Sequence, residues 1–127
     1  MSAPEKFTKD HEWASVSDSG VRVGITDYAQ TELGDIVFVD LPEVGQEVTA
    51  GEAFANIESV KAVSDIYAPV SGKVAAVNES LADSPELVNS NAETDGWLVE
   101  IEAADVSQLD ALMTPEQYSA FIEEVSK

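Results

Sequence analysis

The chain is punctuated at short intervals: segments rich in Val and Ile are closed within a few residues by Gly, Pro, Asn or Asp. β-branched side chains suit a pleated, half-buried surface, so the runs between these turn formers predict strands at 21–25, 35–40, 52–57, 63–68, 73–77 and 97–101. Regular spacing of this kind predicts a mainly β fold, a sandwich or flattened barrel. Two helices interrupt it. The first, near the N-terminal third, covers 27–32, with Thr26 as its cap and Gly34 just beyond its end. The second opens on Thr114, followed by Pro115 at the favoured first position. Tyr118, Phe121, Ile122 and Val125 then line one face, which predicts a helix docked on the sheet.

At 127 residues, 44% of them hydrophobic, the chain fits a single domain over 1–127 with a core that needs no staples. It contains no cysteine, which excludes disulfides, thiolate metal sites and a thiol nucleophile. Any redox group must be brought to it. His11 is the one histidine, so no cluster supports a zinc or catalytic role; it is expected to pack beside Trp13, with Trp13 and Trp97 in the core. With no Ser/His/Asp arrangement, Gly-rich phosphate loop or metal cluster, an enzyme is the least supported class.

Twenty-five acidic residues against six basic ones give a net charge of -19, which disfavours nucleic acid and anionic membranes and favours basic protein surfaces. The segment 1–10 has no apolar stretch of signal-peptide length and no Arg-rich transit character, and no run approaches a membrane span. The expected location is a bacterial cytoplasm.

An internal echo spans 33 residues. Val44-Gly45-Gln46-Glu47-Val48 before Gly51-Glu52 resembles Val77-Asn78-Glu79-Ser80-Leu81 before Ser84-Pro85. Each copy reads as a strand end, an acidic turn, an apolar anchor and a re-entering strand, which predicts two similar half-units with Lys61 between them.

Glu58-Ser59-Val60-Lys61-Ala62-Val63-Ser64-Asp65 joins two predicted strands with few residues to spare, placing Val60 and Lys61 at a tight hairpin tip. Neither belongs to the Asn-Gly or Asp-Gly class that forms such turns readily, so the flanking pairing must impose the bend. Lys61 is the one basic residue between Arg22 and Lys73, in a stretch crowded with acids. A lysine amine forms amides and its flexible stem gives reach, although exposed lysines at hairpin tips are also commonplace.

Glu58-Ser59-Val60-Lys61-Ala62, then Ser64-Asp65, then Ala68-Pro69-Val70-Ser71-Gly72-Lys73-Val74, resembles the modification hairpin of the glycine cleavage system H protein family. His11-Glu12-Trp13, Gly24-Ile25-Thr26-Asp27-Tyr28-Ala29-Gln30, Leu33-Gly34-Asp35-Ile36-Val37, Leu41-Pro42-Glu43-Val44-Gly45, Pro85-Glu86-Leu87-Val88-Asn89 and Gly96-Trp97-Leu98 agree in order and spacing. A biotin carrier usually places Met on both sides of its lysine, where this chain has Val60 and Ala62. One departure stands out. The family commonly carries Pro-Tyr before Gly96-Trp97, but 90–95 here reads Ser-Asn-Ala-Glu-Thr-Asp, so the resemblance does not carry that loop's conformation.

The resemblance implies a lipoyl-type barrel-sandwich fold and lipoic acid in amide linkage to Lys61. It implies a carrier that takes the aminomethyl group of glycine from a pyridoxal-phosphate decarboxylase (P protein) to a tetrahydrofolate-dependent aminomethyltransferase (T protein). A flavin-dependent dihydrolipoamide dehydrogenase (L protein) reoxidises the arm, and a lipoate-attaching enzyme installs it. The carrier itself catalyses nothing; tethering holds the cargo at high effective concentration. The cargo amine is cationic, and by motif position the cleft that shelters it would include Asp10, Glu12 and Asp65. Glu58 and Gly45 match positions associated with recognition by the lipoylating enzyme, while Gly45 equally suits a turn with positive φ. Two other duties fit the same hairpin: a lipoyl donor for other lipoyl domains, and an acidic interaction module with Lys61 unmodified.

Overall fold

The computed structural model describes residues 6–17, 20–104 and 106–125. The reading of the N-terminal segment falls partly on residues 1–5, outside the described residues. Two antiparallel sheets share one core. The larger runs β1 (Lys6–Phe7), β2 (Glu12–Ser17), β3 (Gly20–Ile25), β9 (Val99–Ala103), β8 (Gly72–Val77) and β5 (Glu47–Val48), in that order. The smaller runs β4 (Ile36–Asp40), β6 (Ala53–Ser59) and β7 (Val63–Tyr67). Neither sheet closes on itself, so of the two expected forms the sandwich is the one adopted.

Alternation sets the faces. Val21, Val23, Val74 and Ile101 of the larger sheet meet Val39, Ile57 and Ile66 of the smaller one, all buried in one cluster. Burying each such side chain contributes about 1.5–3 kcal/mol, and a one-residue slip would turn a whole strand's set to solvent. The inner pattern therefore fixes register.

On the other face of the larger sheet lies a second cluster of Phe7, Trp13 and Tyr118, with Trp97, Met113, Phe121 and Ile122 packed against it. Trp13 stands opposite Gly24 in the β2–β3 pair, and a Cβ on Gly24 would lie 2.8 Å from the indole. That contact, rather than a turn, is why a glycine sits inside a strand.

Helix α1 (Asp27–Leu33) starts as expected, with the Ala29 N–H donating to Thr26 Oγ1 at 3.2 Å, and stops at Gly34 with φ 83. Two four-residue helices, α2 (Ser80–Asp83) and α3 (Leu87–Ser90), were not anticipated. They overturn part of the internal echo: Val48 and Leu81 are both buried anchors, but helices follow β8 where a re-entering strand was expected. The last helix, α4 (Pro115–Val125), begins with a capping box. The Gln117 N–H donates to Thr114 Oγ1 at 3.2 Å, and the Thr114 N–H donates to Gln117 Oε1 at 2.9 Å. Its stripe docks through Tyr118, Phe121 and Ile122, whereas Val125 is 48% exposed and ends the contact. Among the described residues, no helix is long and apolar enough to cross a membrane.

Candidate functional site

Strands β6 and β7 meet at the expected tip, and Ser59 makes the bend. Its N–H donates to the Ala62 carbonyl at 2.8 Å, closing the turn around Val60 and Lys61. Its hydroxyl accepts from the N–H groups of Lys61 at 3.3 Å and Ala62 at 3.1 Å. A serine that satisfies the backbone two and three residues on replaces the missing Asn-Gly chemistry. The Val60 N–H donates to the Asp35 carbonyl at 3.0 Å, tying the tip to the chain entering β4. Neither tip residue adopts positive φ; among the described non-glycine residues only His11 does.

The backbone at the tip is therefore pinned while the Lys61 side chain is exposed. Among the described residues no hydrogen bond or ion pair engages its amine. Its stem lies over the end of α1, where a Cβ placed on Gly34 would stand 3.5 Å from Lys61 Cε. A fixed base with an unengaged amine suits an attachment point for a long acyl group.

The second feature is a pocket of about 530 Å³ lined by Phe7, Thr8, Asp10, Glu12, Tyr67 and Leu112, among others. Glu12 is 1% exposed, and its position follows from the β1–β2 hairpin. A three-residue loop, Lys9-Asp10-His11, joins Thr8 to Glu12 with His11 in the left-handed conformation at φ 68. This is the bulged hairpin geometry in which glycine or asparagine is more usual. His11 is held there by its neighbours: the Tyr28 ring at 4.7 Å, the Phe121 ring at 5.9 Å, and Tyr118 Oη at 2.8 Å from Nδ1. Its ring neighbours come from α1 and α4, and two of them, Tyr118 and Phe121, belong to the same cluster as Trp13.

Tyr118 Oη also lies 2.7 Å from Thr26 Oγ1, which already accepts the Ala29 N–H. Thr26 donating to Tyr118 and Tyr118 donating to neutral His11 uses each hydroxyl proton once. Burial lowers the His11 pKa, in keeping with a neutral ring, and pushes the Tyr118 hydroxyl up to about 12.

Glu12 bridges the two sheets. The Thr8 hydroxyl donates to Oε1 at 2.6 Å, and the Tyr67 N–H, from the smaller sheet, donates to Oε2 at 3.2 Å. Burial raises its pKa to about 7, outweighing the two hydrogen bonds, which act in the opposite direction. The pocket thus offers mostly apolar walls and one carboxyl poised near neutrality.

The other anticipated residues divide. Asp10 lines the same pocket but is exposed, its N–H donating to Thr8 Oγ1 at 3.2 Å. Asp65 is exposed on β7 opposite Asn56 and lines a separate hollow of about 370 Å³ with Asp40 and Asn56. Glu58 is exposed on β6 between Phe38 and Val63, three residues from Lys61. Gly45 lies in the turn before β5 with φ 94, its N–H donating to the Val74 carbonyl at 2.8 Å, so the turn reading of this residue fits. It belongs to the edge of the larger sheet and Glu58 to the smaller one.

Sequence reasoning missed the parts played by Ser59, Thr8 and Tyr67. Ser59 carried a signal, a serine directly before a two-residue bend. Tyr67 contributes a backbone N–H, which no side-chain pattern reveals. The 90–95 loop is built of successive turns: Asn91 O accepts from Thr94 at 3.0 Å and Gly96 at 2.8 Å, and Ala92 O accepts the Trp13 indole N–H at 2.9 Å. Glu93 accepts the Asp27 N–H at 2.9 Å at the start of α1.

Comparison with known proteins agrees with the fold. Residues 5–125 match the family model described as "Glycine cleavage H-protein". A glycine cleavage system H protein of Geobacillus kaustophilus is 55% identical over 98% of this chain and 99% of its own. One from Coprothermobacter proteolyticus is 58% identical over 94% of each chain. The crystal structure of a glycine cleavage system H protein from Mycobacterium marinum superimposes with a TM-score of 0.84 at 38% identity, covering 94% of this chain and 97% of the other.

Proposed function

Because this chain belongs to the glycine cleavage H-protein family, we propose that Lys61 is the residue that carries its lipoyl group. Members of this family are non-catalytic lipoyl carriers of the glycine cleavage system, and this chain is one of them. The finer reading is that the protein takes the aminomethyl group of glycine from the P protein to the T protein and is returned to its oxidised state by the L protein. The observation that supports Lys61 is the pinned tip with its unengaged amine. The lipoyl group, when attached, supplies the dithiolane that accepts and releases the cargo.

The chain's own residues supply position and shelter. Ser59 and Asp35 hold the tip, so the amine is presented at a fixed base. Glu12 gives the pocket a carboxyl that gains from charging when a cation enters, and the apolar walls raise the strength of that attraction by excluding water. Asp10 adds negative charge at the mouth. Asp65 acts from its own hollow on β7 rather than from the pocket wall. Glu58, on the face beside the lysine, serves recognition by the lipoate-attaching enzyme. The relatives named above are bacterial, which supports placing the protein in a bacterial cytoplasm.

Incubation with a lipoate-attaching enzyme, lipoic acid and ATP, followed by peptide mass mapping, tests the reading. Lys61 should gain the lipoyl mass while Lys73 does not, and Lys61→Arg should remain bare. An intact fold that stays unmodified would leave only an acidic β-rich module. For the pocket, Glu12→Gln should shorten the lifetime of the aminomethyl-loaded protein, and an unchanged lifetime would remove that role.

A further inference from the structure

The Thr8 hydroxyl is strung between the backbone and the side chain of one residue. Its oxygen accepts the N–H groups of Asp10 at 3.2 Å and Glu12 at 3.1 Å, and its single proton goes to Glu12 Oε1 at 2.6 Å. A hydroxyl oxygen that already takes two N–H groups is turned to donate, and 2.6 Å is the length of a bond to a carboxylate rather than to a neutral acid. The Tyr67 N–H, 3.2 Å from Oε2, can only donate. Both oxygens of Glu12 therefore face donors, one from the β1–β2 hairpin and one from the smaller sheet.

Burial acts the other way. Glu12 is almost wholly enclosed, and a buried carboxylate is costly unless hydrogen bonds or a cation compensate it. Its surroundings supply little else. Lys9 and Asp10 of its own loop are exposed, while Tyr67 from β7, Gln108 from the segment before α4 and Tyr118 from α4 bring no cation. Among the described residues Thr8 is the one side chain that donates to Glu12.

We propose that Thr8 is the positioning residue of the cargo pocket: its hydroxyl holds Glu12 in the bridging conformation and supports the carboxylate that meets the cargo's ammonium. This rests on the reading of Glu12 as the carboxyl that shelters the cargo. A threonine that only formed the turn would do less. It would cap the loop through the two N–H bonds it accepts, and its loss would weaken the fold equally whether Glu12 is charged or neutral. A positioning threonine also moves the pH at which Glu12 ionises, because the proton it donates favours the charged form.

The test compares Thr8→Val, which keeps the branched shape and removes the hydroxyl, with Thr8→Ser, which keeps the hydroxyl. Ionisation of Glu12 is followed in the unmodified protein by the carboxyl resonance of isotopically labelled glutamate, assigned with Glu12→Gln. In Thr8→Val the titration should move up by about one pH unit, and in Thr8→Ser it should stay with wild type. The pH profile of the lifetime of the aminomethyl-loaded protein should move up by a similar amount in Thr8→Val. Adding Thr8→Val to Glu12→Gln should shorten that lifetime no further. A Glu12 titration unmoved in Thr8→Val would overturn this role, as would a lifetime reduced by the same factor at every pH, the mark of a disturbed turn. Lifetimes that match wild type in Thr8→Val but fall in Glu12→Gln would overturn the role of Thr8 while leaving Glu12 as the shelter. Lifetimes unchanged in both would overturn the shelter and this role with it. Should Thr8→Val not fold, Thr8→Ala takes its place with the same expected displacement, and a displaced titration in Thr8→Ser would overturn the role by itself.

Discussion

Glu12→Gln should make the protein more stable at pH 8 while leaving it nearly unchanged at pH 5. Glu12 is buried between the sheets and its pKa rises from the ordinary 4.5 to about 7. An acid whose pKa is higher in the folded state binds more protons folded than unfolded between those values, so its contribution to stability is complete below 4.5 and is lost as pH rises through 7. A shift of this size corresponds to roughly 3 kcal/mol in full, of which about 2.5 kcal/mol falls between pH 5 and pH 8. The amide carries no charge to bury. Its oxygen can take the Tyr67 N–H and its NH₂ can donate to Thr8 Oγ1, so one bond to each partner survives. Urea unfolding at half-unit pH steps from 5 to 8.5, wild type against variant, isolates the term. With a net charge of -19, general repulsion shifts both proteins alike and cancels in the difference. The gap should widen steadily in favour of glutamine above pH 5.5. A gap that stays flat across the range would show that Glu12 is already ionised at pH 5 and that its burial imposes no such penalty.

Three further substitutions probe the frame. Ser59→Ala removes the acceptor shared by the Lys61 and Ala62 amides; exchange of those two amides should quicken about tenfold, with roughly 1 kcal/mol lost in urea unfolding. Gly24→Ala drives a methyl into the Trp13 indole, and should cost about 2 kcal/mol with a changed near-ultraviolet signal from the tryptophan; a cost below about 0.5 kcal/mol would mean the strands part freely there. Arg22 pairs with the buried carboxylate of Glu100 at 2.5 Å and lies over the Trp97 ring at 4.6 Å. Arg22→Met should cost about 2 kcal/mol at neutral pH, and adding Glu100→Gln should recover part of it; no recovery would assign the loss to the Trp97 contact.

What could be read from the residues, and what could not, follows from the range of the interactions involved. Strands β3, β4, β6, β7 and β8 and the core-forming part of β9 were legible because Val and Ile alternate between turn formers there. Both long helices were legible from their caps, Thr26 and Thr114. Strand β2 was not, because Glu12 and Ser15 interrupt its apolar pattern and its buried faces depend on partners far along the chain. The helices α2 and α3 were hidden for a different reason. Four residues are too few to show a helical period, so each is held by tertiary anchors, Leu81 and Val88, rather than by propensity.

The site was legible where it is local and opaque where two sheets build it. Lys61 is isolated among acids, but exposed lysines at hairpin tips are commonplace, and only the resemblance of the surrounding motifs to the H-protein hairpin singled it out; the bend beneath it followed from the few residues joining the strands. Glu12 could not be ranked above the other acids on composition, since an acidic residue in so acidic a chain is most often solvated. Only the assembled sandwich brings Thr8 from the hairpin and the Tyr67 amide from the opposite sheet onto its two oxygens. That placement sets two demands against each other. An empty pocket is most stable with Glu12 neutral, whereas a cationic guest is held best by the carboxylate. Replacing it with glutamine therefore strengthens the fold above pH 7 and weakens the hold on a cation. Because a bound cation favours the carboxylate, the protection that wild type gives the cargo over the variant should already be present below pH 7, the value at which the empty pocket's carboxyl ionises. Protection that differs between the two proteins only above pH 7 would show that Glu12 is not the group that serves both.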